Sequence, residues 1–233
     1  MDHVRSNLAA VRDRIAAAAR ACGRSSDEVR LIAVSKTFGI DAVRAAYDAG
    51  HRDFGENKVQ EALQKQEQGN DLDVRWHLIG HLQSNKARRA ADAFAAIHSI
   101  DSVELLERVD AAAAAAGARP ELFLQIDLAG ETTKFGAPES AIDDMAQAAA
   151  RCRAARVVGL MLLPPWSEDA EATRPYFRRL RELRDRVVRS GIDASLLGRL
   201  SMGMSHDFEV AIEEGATDVR VGTAIFGRRK PLM

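Results

Sequence analysis

The chain has 233 residues, of which 46% are hydrophobic and 29% are charged, and its net charge is −1. This balance is typical of an ordinary globular protein and carries no global signal for binding nucleic acid. Cys22 and Cys152 lack metal-ligand spacing, so we expect neither a zinc site nor a disulfide framework, which suits a reducing cytoplasm as the location. The first 23 residues carry charges throughout, so we expect no signal peptide and no membrane partner.

The hydrophobic pattern predicts one N-terminal helix followed by alternating strands and helices. Leu8, Val11 and Ile15 share one face of the first helix. Expected helix caps are Asp41, Asn57, Ser102 and Asp207. The predicted helices lie near 40–49, 57–68, 85–92, 102–116, 138–151, 168–190 and 207–214. The predicted strands are 29–35, 51–56, 75–80, 95–100, 121–128, 156–163, 195–201 and 218–223.

Eight strands with helices between them predict an α/β fold, a (β/α)₈ TIM barrel formed by a single domain over residues 1–233. Several strands are apolar at consecutive positions, as expected when both faces of a parallel sheet are covered. A doubly wound open sheet is the alternative, but no G-x-G-x-x-G follows the first strand. In a barrel, the loops after the strands form the active-site face.

Lys36 ends the first predicted strand, in the stretch LIAVSKTFG at 31–39. Of the 33 basic residues, 27 are arginine and six are lysine, so a lysine beside a core strand is conspicuous. An amine can lose its proton and attack a carbonyl group, which a guanidinium cannot do. The alternative is that Lys36 only extends its ammonium group from a strand end into solvent.

The loops after the last two strands predict a phosphate subsite. Ser201 and Thr223 offer hydroxyl groups, while Gly203 and Gly222 allow close approach of the backbone to a ligand. Each of these loops could instead be a purely structural turn.

Arg220 lies inside the last predicted strand, where an inward-pointing charge needs a partner. A guanidinium facing a ring nitrogen would keep that nitrogen unprotonated. The alternative is an outward orientation between helices. Together with Lys36 and the phosphate subsite, Arg220 indicates a phosphorylated aldehyde held as an imine.

Seven segments resemble the pyridoxal phosphate homeostasis proteins, the YggS/PROSC family. The resemblance covers nearly the whole chain and includes AVSKT at 33–37, FGENKVQEA at 54–62, WHLIGHLQSNK at 76–86, HSIDS at 98–102, KFG at 134–136, GLMLLPP at 159–165 and the long stretch at 200–227. It implies a fold-type III barrel similar to that of alanine racemase, without the second domain of that enzyme. The implied cofactor is pyridoxal 5′-phosphate (PLP).

Carried over by motif, the resemblance implies that Lys36 forms the internal aldimine and that Asn57 lies near the cofactor. It also implies that Arg220 faces the pyridine nitrogen and that the phosphate is bound by Ser201, Gly222 and Thr223. Two positions depart from the family pattern: Lys58 stands where tyrosine is common, and Asp127 stands where asparagine is usual.

The resemblance implies a non-catalytic PLP-binding protein that stores, buffers or delivers the cofactor. A racemase needs a second base opposite the lysine, and His81 and His206 are the remaining candidates. A PLP-dependent racemase or decarboxylase is therefore one alternative, and a Schiff-base aldolase acting on phosphosugars is another. We expect a monomer, with PLP-dependent apoenzymes as further candidate partners.

Overall fold

Eight parallel strands close into a barrel in the computed structural model, which describes residues 2–130 and 135–227. Their order is β4-β3-β2-β1-β9-β8-β7-β5, and pairing of β4 with β5 closes the ring. The two-residue β6 pairs with β5 outside it. The strands are β1 (Arg30–Val34), β2 (Asp53–Glu56), β3 (Arg75–Leu78), β4 (Ala96–Ile100), β5 (Glu121–Asp127), β6 (Ala137–Pro138), β7 (Arg156–Met161), β8 (Arg199–Ser201) and β9 (Asp218–Val221).

The barrel predicted from the sequence is therefore confirmed, and each of the eight predicted strands overlaps one strand of the ring. The strand β6 was not predicted, because two residues are too few to show a periodic pattern.

Helices cover the outside of the ring. Ser102 caps α5 as predicted, since its hydroxyl accepts a hydrogen bond from the Leu105 amide at 3.1 Å. The predicted caps Asp41 and Asn57 are wrong, because Gly39 and Lys58 precede those helices. The helices are α1 (Asp2–Ala21), α2 (Ile40–Asp48), α3 (Val59–Gln68), α4 (Ala87–Ala93), α5 (Val103–Ala116), α6 (Ile142–Ala149), α7 (Arg174–Arg189), α8 (Phe208–Glu213) and α9 (Thr223–Phe226).

The main hydrophobic core lies between the ring of strands and the helices. The extra N-terminal helix α1 joins it through Leu8, Val11 and Ile15, which are all buried, and packs against α8 and α9. Burying this apolar face supplies the favourable free energy that holds α1 on the barrel.

The interior of the barrel is unusually polar. His77, His98, Ser201 and Arg220 are all buried, on β3, β4, β8 and β9. A small apolar cluster of Phe123, Val158 and Met161 fills another part of the interior.

Ion pairs close the amino-terminal end of the barrel. Glu121 accepts hydrogen bonds from Arg30, Arg156 and Arg199 at 3.0, 2.6 and 2.7 Å. These ion pairs close the amino-terminal end of the barrel, which we call its floor. The carboxyl ends of the strands therefore form the end where a ligand can bind.

Candidate functional site

A cavity of about 790 Å³ opens at the carboxyl ends of the strands. This volume is within the range of roughly 300–1,000 Å³ that is usual for small-molecule sites. Five of the six residues that the sequence indicated for cofactor binding line it: Lys36, Asn57, Arg220, Gly222 and Thr223. Ser201 is the sixth, and it does not line the cavity.

Lys36 lies two residues after the end of β1, on the cavity wall, and is half-buried. The backbone turns sharply after it, because the Phe38 amide donates to the Ser35 carbonyl at 3.0 Å. Thr37 within this turn has a φ of 69°, in the left-handed region that non-glycine residues rarely adopt. The turn ends the strand and leaves the Lys36 side chain at the cavity.

Asn57 follows β2 and lies against the loop after β3. A Cβ atom added to Gly80 would come within 2.3 Å of the Asn57 carbonyl oxygen. Only glycine at position 80 allows this approach, which packs the two loops together at the cavity wall.

Ser205 marks the end of the cavity formed by the loops after β8 and β9. Its hydroxyl oxygen accepts hydrogen bonds from the Gly222 amide at 3.1 Å and the Ala224 amide at 3.4 Å. Thr223 lies between these two amides and also lines the cavity. With its oxygen occupied in this way, the Ser205 hydroxyl can donate its own proton to an anion.

Ser201 lies apart from the other residues predicted to bind the phosphate. It is fully buried below the cavity, and its hydroxyl oxygen lies 2.6 Å from Nη1 of Arg220 and 2.8 Å from Nδ1 of His98. The reason is that Ser201 is the last residue of β8 and still points into the barrel, whereas Ser205 lies in the loop beyond it. The position of Ser205 in the polar loop SMGMSHD was the available signal.

A continuous chain of hydrogen bonds runs through the barrel from Arg220 to Asp53. Below Ser201, Nε2 of His98 lies 3.0 Å from Nδ1 of His77, and Nε2 of His77 lies 2.9 Å from the Asp53 carboxylate. A carboxylate only accepts, so Nε2 of His77 donates to it. A guanidinium only donates, so the Ser201 hydroxyl oxygen accepts from Arg220, and its own proton can go to Nδ1 of His98. We call these five residues the buried chain.

Burial dominates the electrostatics of Arg220 and His98. It lowers the pKa of Arg220 to about 10, against the opposing effect of Asp207 and Asp218, so the guanidinium remains charged at neutral pH. It also lowers the pKa of His98 well below its usual value, and the positive charge of Arg220 adds to this effect. His98 is therefore a neutral link beside a buried cation.

Aromatic side chains form part of the cavity wall and its rim. The ring of His81 stacks on Phe135 with centroids 3.7 Å apart, and its Nδ1 lies 3.4 Å from the Asp101 carboxylate. Trp166 also lines the cavity, and 71% of it is exposed. His206 lines the same cavity, so both histidines considered as bases are present there.

The two departures from the family pattern lie away from the cavity wall. Lys58 is exposed at the start of α3 and does not line the cavity. The Asp127 carboxylate accepts hydrogen bonds from the amides of Ala129 and Gly130 at 2.9 and 3.1 Å, which stabilises the turn after β5. Lys134, part of the KFG motif, lies outside the described residues.

Comparison with known proteins gives a consistent result. The family described as alanine racemase, N-terminal domain, matches residues 6–230. The pyridoxal phosphate homeostasis protein of Aquifex aeolicus is 42% identical over 223 residues, covering 96% of this chain and 97% of the relative. The protein of the same name from Pseudomonas aeruginosa is 43% identical, covering 98% of this chain and 97% of the relative.

The chain belongs to the pyridoxal phosphate homeostasis protein family. Among solved structures, this chain is similar to PipY of Synechococcus elongatus PCC7942, in the structure with PLP bound. It is 39% identical with a TM-score of 0.86, and the alignment covers 96% of this chain and all of PipY. In residues 2–130 and 135–227 of this chain, no helix is both long and apolar enough to span a bilayer.

The buried chain predicts the protonation state of His98. We expect its imidazole to be neutral at pH 7 with the proton on Nε2, because burial disfavours the charged form. The measurement is a long-range ¹H–¹⁵N NMR spectrum of the histidine rings at several pH values. A titration of His98 with a midpoint near 6.5, or a proton on Nδ1, would contradict the assigned direction of the buried chain.

Proposed function

We propose that this chain binds PLP in the cavity, holds it through Lys36 and so stores, buffers or delivers the cofactor without catalytic turnover. The observation that carries the proposal is that one cavity is lined by the Lys36 amine, the buried Arg220 guanidinium and the hydroxyl groups of Ser205 and Thr223. The full-length similarity to PipY, whose structure contains PLP, supports it. We also propose a cytoplasmic monomer that acts as one domain, with PLP-dependent apoenzymes as candidate recipients.

The donor set fits an anionic, phosphorylated aldehyde. PLP supplies an aldehyde that forms a carbon–nitrogen double bond with a primary amine, the aldehyde oxygen leaving as water with the two amine protons. Lys36 provides that amine. The hydroxyl groups of Ser205 and Thr223 provide hydrogen-bond donors for the phosphate, and donors to charged groups make the stronger hydrogen bonds.

Arg220 is proposed to hold the pyridine nitrogen unprotonated. Its guanidinium can only donate hydrogen bonds, and as a fixed cation it opposes a second positive charge nearby. An unprotonated ring withdraws electrons less strongly, which disfavours most amino-acid chemistry of the cofactor other than racemisation. This supports a holder of PLP over PLP-dependent enzymes other than racemases.

A PLP-dependent racemase or decarboxylase is the second candidate, because His81 and His206 both line the cavity. His81 stacks on Phe135 and pairs with Asp101, and these contacts are sufficient to explain a histidine at this position without a catalytic role. Loss of optical activity from L-alanine, or release of CO₂ from amino acids, in the presence of the purified PLP-loaded protein would favour this candidate.

The Lys36→Ala variant tests the proposal. We expect it to lose the visible absorption of the bound cofactor and all adduct formed by borohydride reduction, because the amine is absent. Peptide mapping of the reduced wild-type protein should locate the pyridoxyl group on Lys36. Lys58→Ala is the matched control and should behave like the wild type, since Lys58 is exposed and outside the cavity. An adduct on Lys58 or Lys134 would reject the assignment.

The proposed phosphate subsite makes a separate prediction. We expect Ser205→Ala with Thr223→Ala to weaken binding of PLP by about tenfold or more relative to pyridoxal, because only PLP has a phosphate that loses donors. Calorimetric titration of both ligands measures this ratio.

Ser201→Ala is the control for that ratio. It should weaken both ligands by the same factor, since Ser201 contacts Arg220 below the cavity. If Ser201→Ala lowers the preference for PLP and the double variant does not, the phosphate lies near Ser201 as the sequence suggested.

A further inference from the structure

Three charged side chains lie behind the turn that carries Lys36, outside the cavity wall. Lys65 is on α3 with 6% of its side chain exposed, and Glu56 at the end of β2 is fully buried. Glu61 is one turn before Lys65 on α3. Burying ionic groups is costly, so they need hydrogen bonds to each other and to the backbone; among the carboxylate oxygens of Glu56, Oε1 makes such bonds and Oε2 does not. We call these three residues the lysine clamp.

The ammonium group of Lys65 has a partner for each of its three protons. It donates to Oε1 of Glu56 at 2.7 Å, to the Ser35 carbonyl at 2.9 Å and to Oε1 of Glu61 at 3.1 Å. A compact ammonium can serve three acceptors that converge on one nitrogen, whereas a planar guanidinium spreads its donors over three nitrogens. This explains a lysine at position 65 in a chain with 27 arginines and six lysines.

The lysine clamp holds both neighbours of Lys36. Before it, Ser35 is bound twice, since its carbonyl accepts from Lys65 and its hydroxyl donates to Oε1 of Glu56 at 2.6 Å. After it, the Thr37 amide donates to Oε1 of Glu61 at 2.6 Å. Among the described residues outside glycine, Thr37 alone has a positive φ, so this hydrogen bond fixes a strained conformation.

We propose that Lys65, with Glu56 and Glu61, is a positioning residue that fixes the direction in which Lys36 presents its amine to the cavity. This proposal rests on the proposed function, in which that amine captures an aldehyde. Lys65 acts through the backbone of residues 35 and 37, so it should influence the covalent step and leave the phosphate subsite unchanged. Ser205 lies in the loop after β8, and Thr223 is the first residue of α9 after β9.

The test variant is Lys65→Met combined with Glu56→Gln. The second change is included because removing Lys65 alone would leave the Glu56 carboxylate buried without its cation. Burial raises the pKa of Glu56, and the hydrogen bond and charge of Lys65 lower it. Glu61→Ala is a second variant, which keeps the buried Lys65–Glu56 pair and removes the carboxylate oxygen that accepts from both Thr37 and Lys65. Lys58→Met, at the start of the same helix, is the matched control.

Three measurements separate positioning from general damage. The first is the affinity for pyridoxine 5′-phosphate, which has an alcohol in place of the aldehyde and cannot react. The second is the rate at which PLP becomes trapped on Lys36 by borohydride. The third is amide hydrogen exchange of Thr37 in the protein without cofactor.

We expect the paired variant to bind pyridoxine 5′-phosphate within about twofold of the wild type, while covalent capture slows at least about tenfold and Thr37 exchange accelerates by a similar factor. Glu61→Ala should show the same pattern with a smaller change in capture, and Lys58→Met should match the wild type.

Unchanged capture and exchange in both variants would overturn the proposal. So would equal losses in capture and in pyridoxine 5′-phosphate affinity, because they would indicate general damage to the cavity. If the wild type forms no adduct on Lys36, the proposed function fails instead, and Thr37 exchange still reports whether the lysine clamp holds the turn.

Discussion

The structure depends most on keeping the Arg220 guanidinium charged inside the barrel. A buried cation needs hydrogen-bond acceptors, and Arg220 donates to the Ser201 hydroxyl at 2.6 Å and to the Leu162 carbonyl at 2.8 Å. Neither acceptor is a carboxylate, so the charge is supported by dipoles and by Asp207 and Asp218 at longer range. Because no carboxylate among the described residues is hydrogen-bonded to Arg220, its positive charge can act on a molecule bound in the cavity.

This requirement explains why the barrel interior is polar where similar barrels could pack aliphatic side chains. His98 and His77 link Ser201 to Asp53 through hydrogen bonds. The ring of His98 also stacks on Phe123, with centroids 4.2 Å apart. The floor ion pairs around Glu121 close the far end. Removing one member would leave the next buried group without a partner, which costs more than the hydrogen bond alone contributes.

The sequence was sufficient for features with local signals. Strand periodicity located the eight strands, and Lys36, Gly222 and Thr223 could be placed at strand ends because the ends were recognisable. The roles of Ser201 and Ser205 could not be separated, since they differ only in whether a hydroxyl lies on the last inward position of β8 or in the loop beyond it. The exact end of β8 decides this, and strand ends are poorly marked in sequence.

The buried chain and the lysine clamp were not predicted, because their contacts join residues far apart in sequence. His98 and Ser201 are 103 positions apart, and Lys65 and Ser35 are 30 apart. No periodic pattern marks such a pair, and a single lysine on a helix is most often a solvent-exposed residue. Only the closed barrel brings them together.

The most direct measurement of the central claim is the protonation state of the bound cofactor's ring nitrogen. PLP labelled with ¹⁵N in the pyridine ring can be loaded into the wild-type protein and observed by NMR near neutral pH. If the Arg220 guanidinium faces that nitrogen, we expect the chemical shift of an unprotonated pyridine that accepts a hydrogen bond. The shift of a protonated pyridinium would show that Arg220 does not control the ring, and would contradict the role assigned to the buried chain.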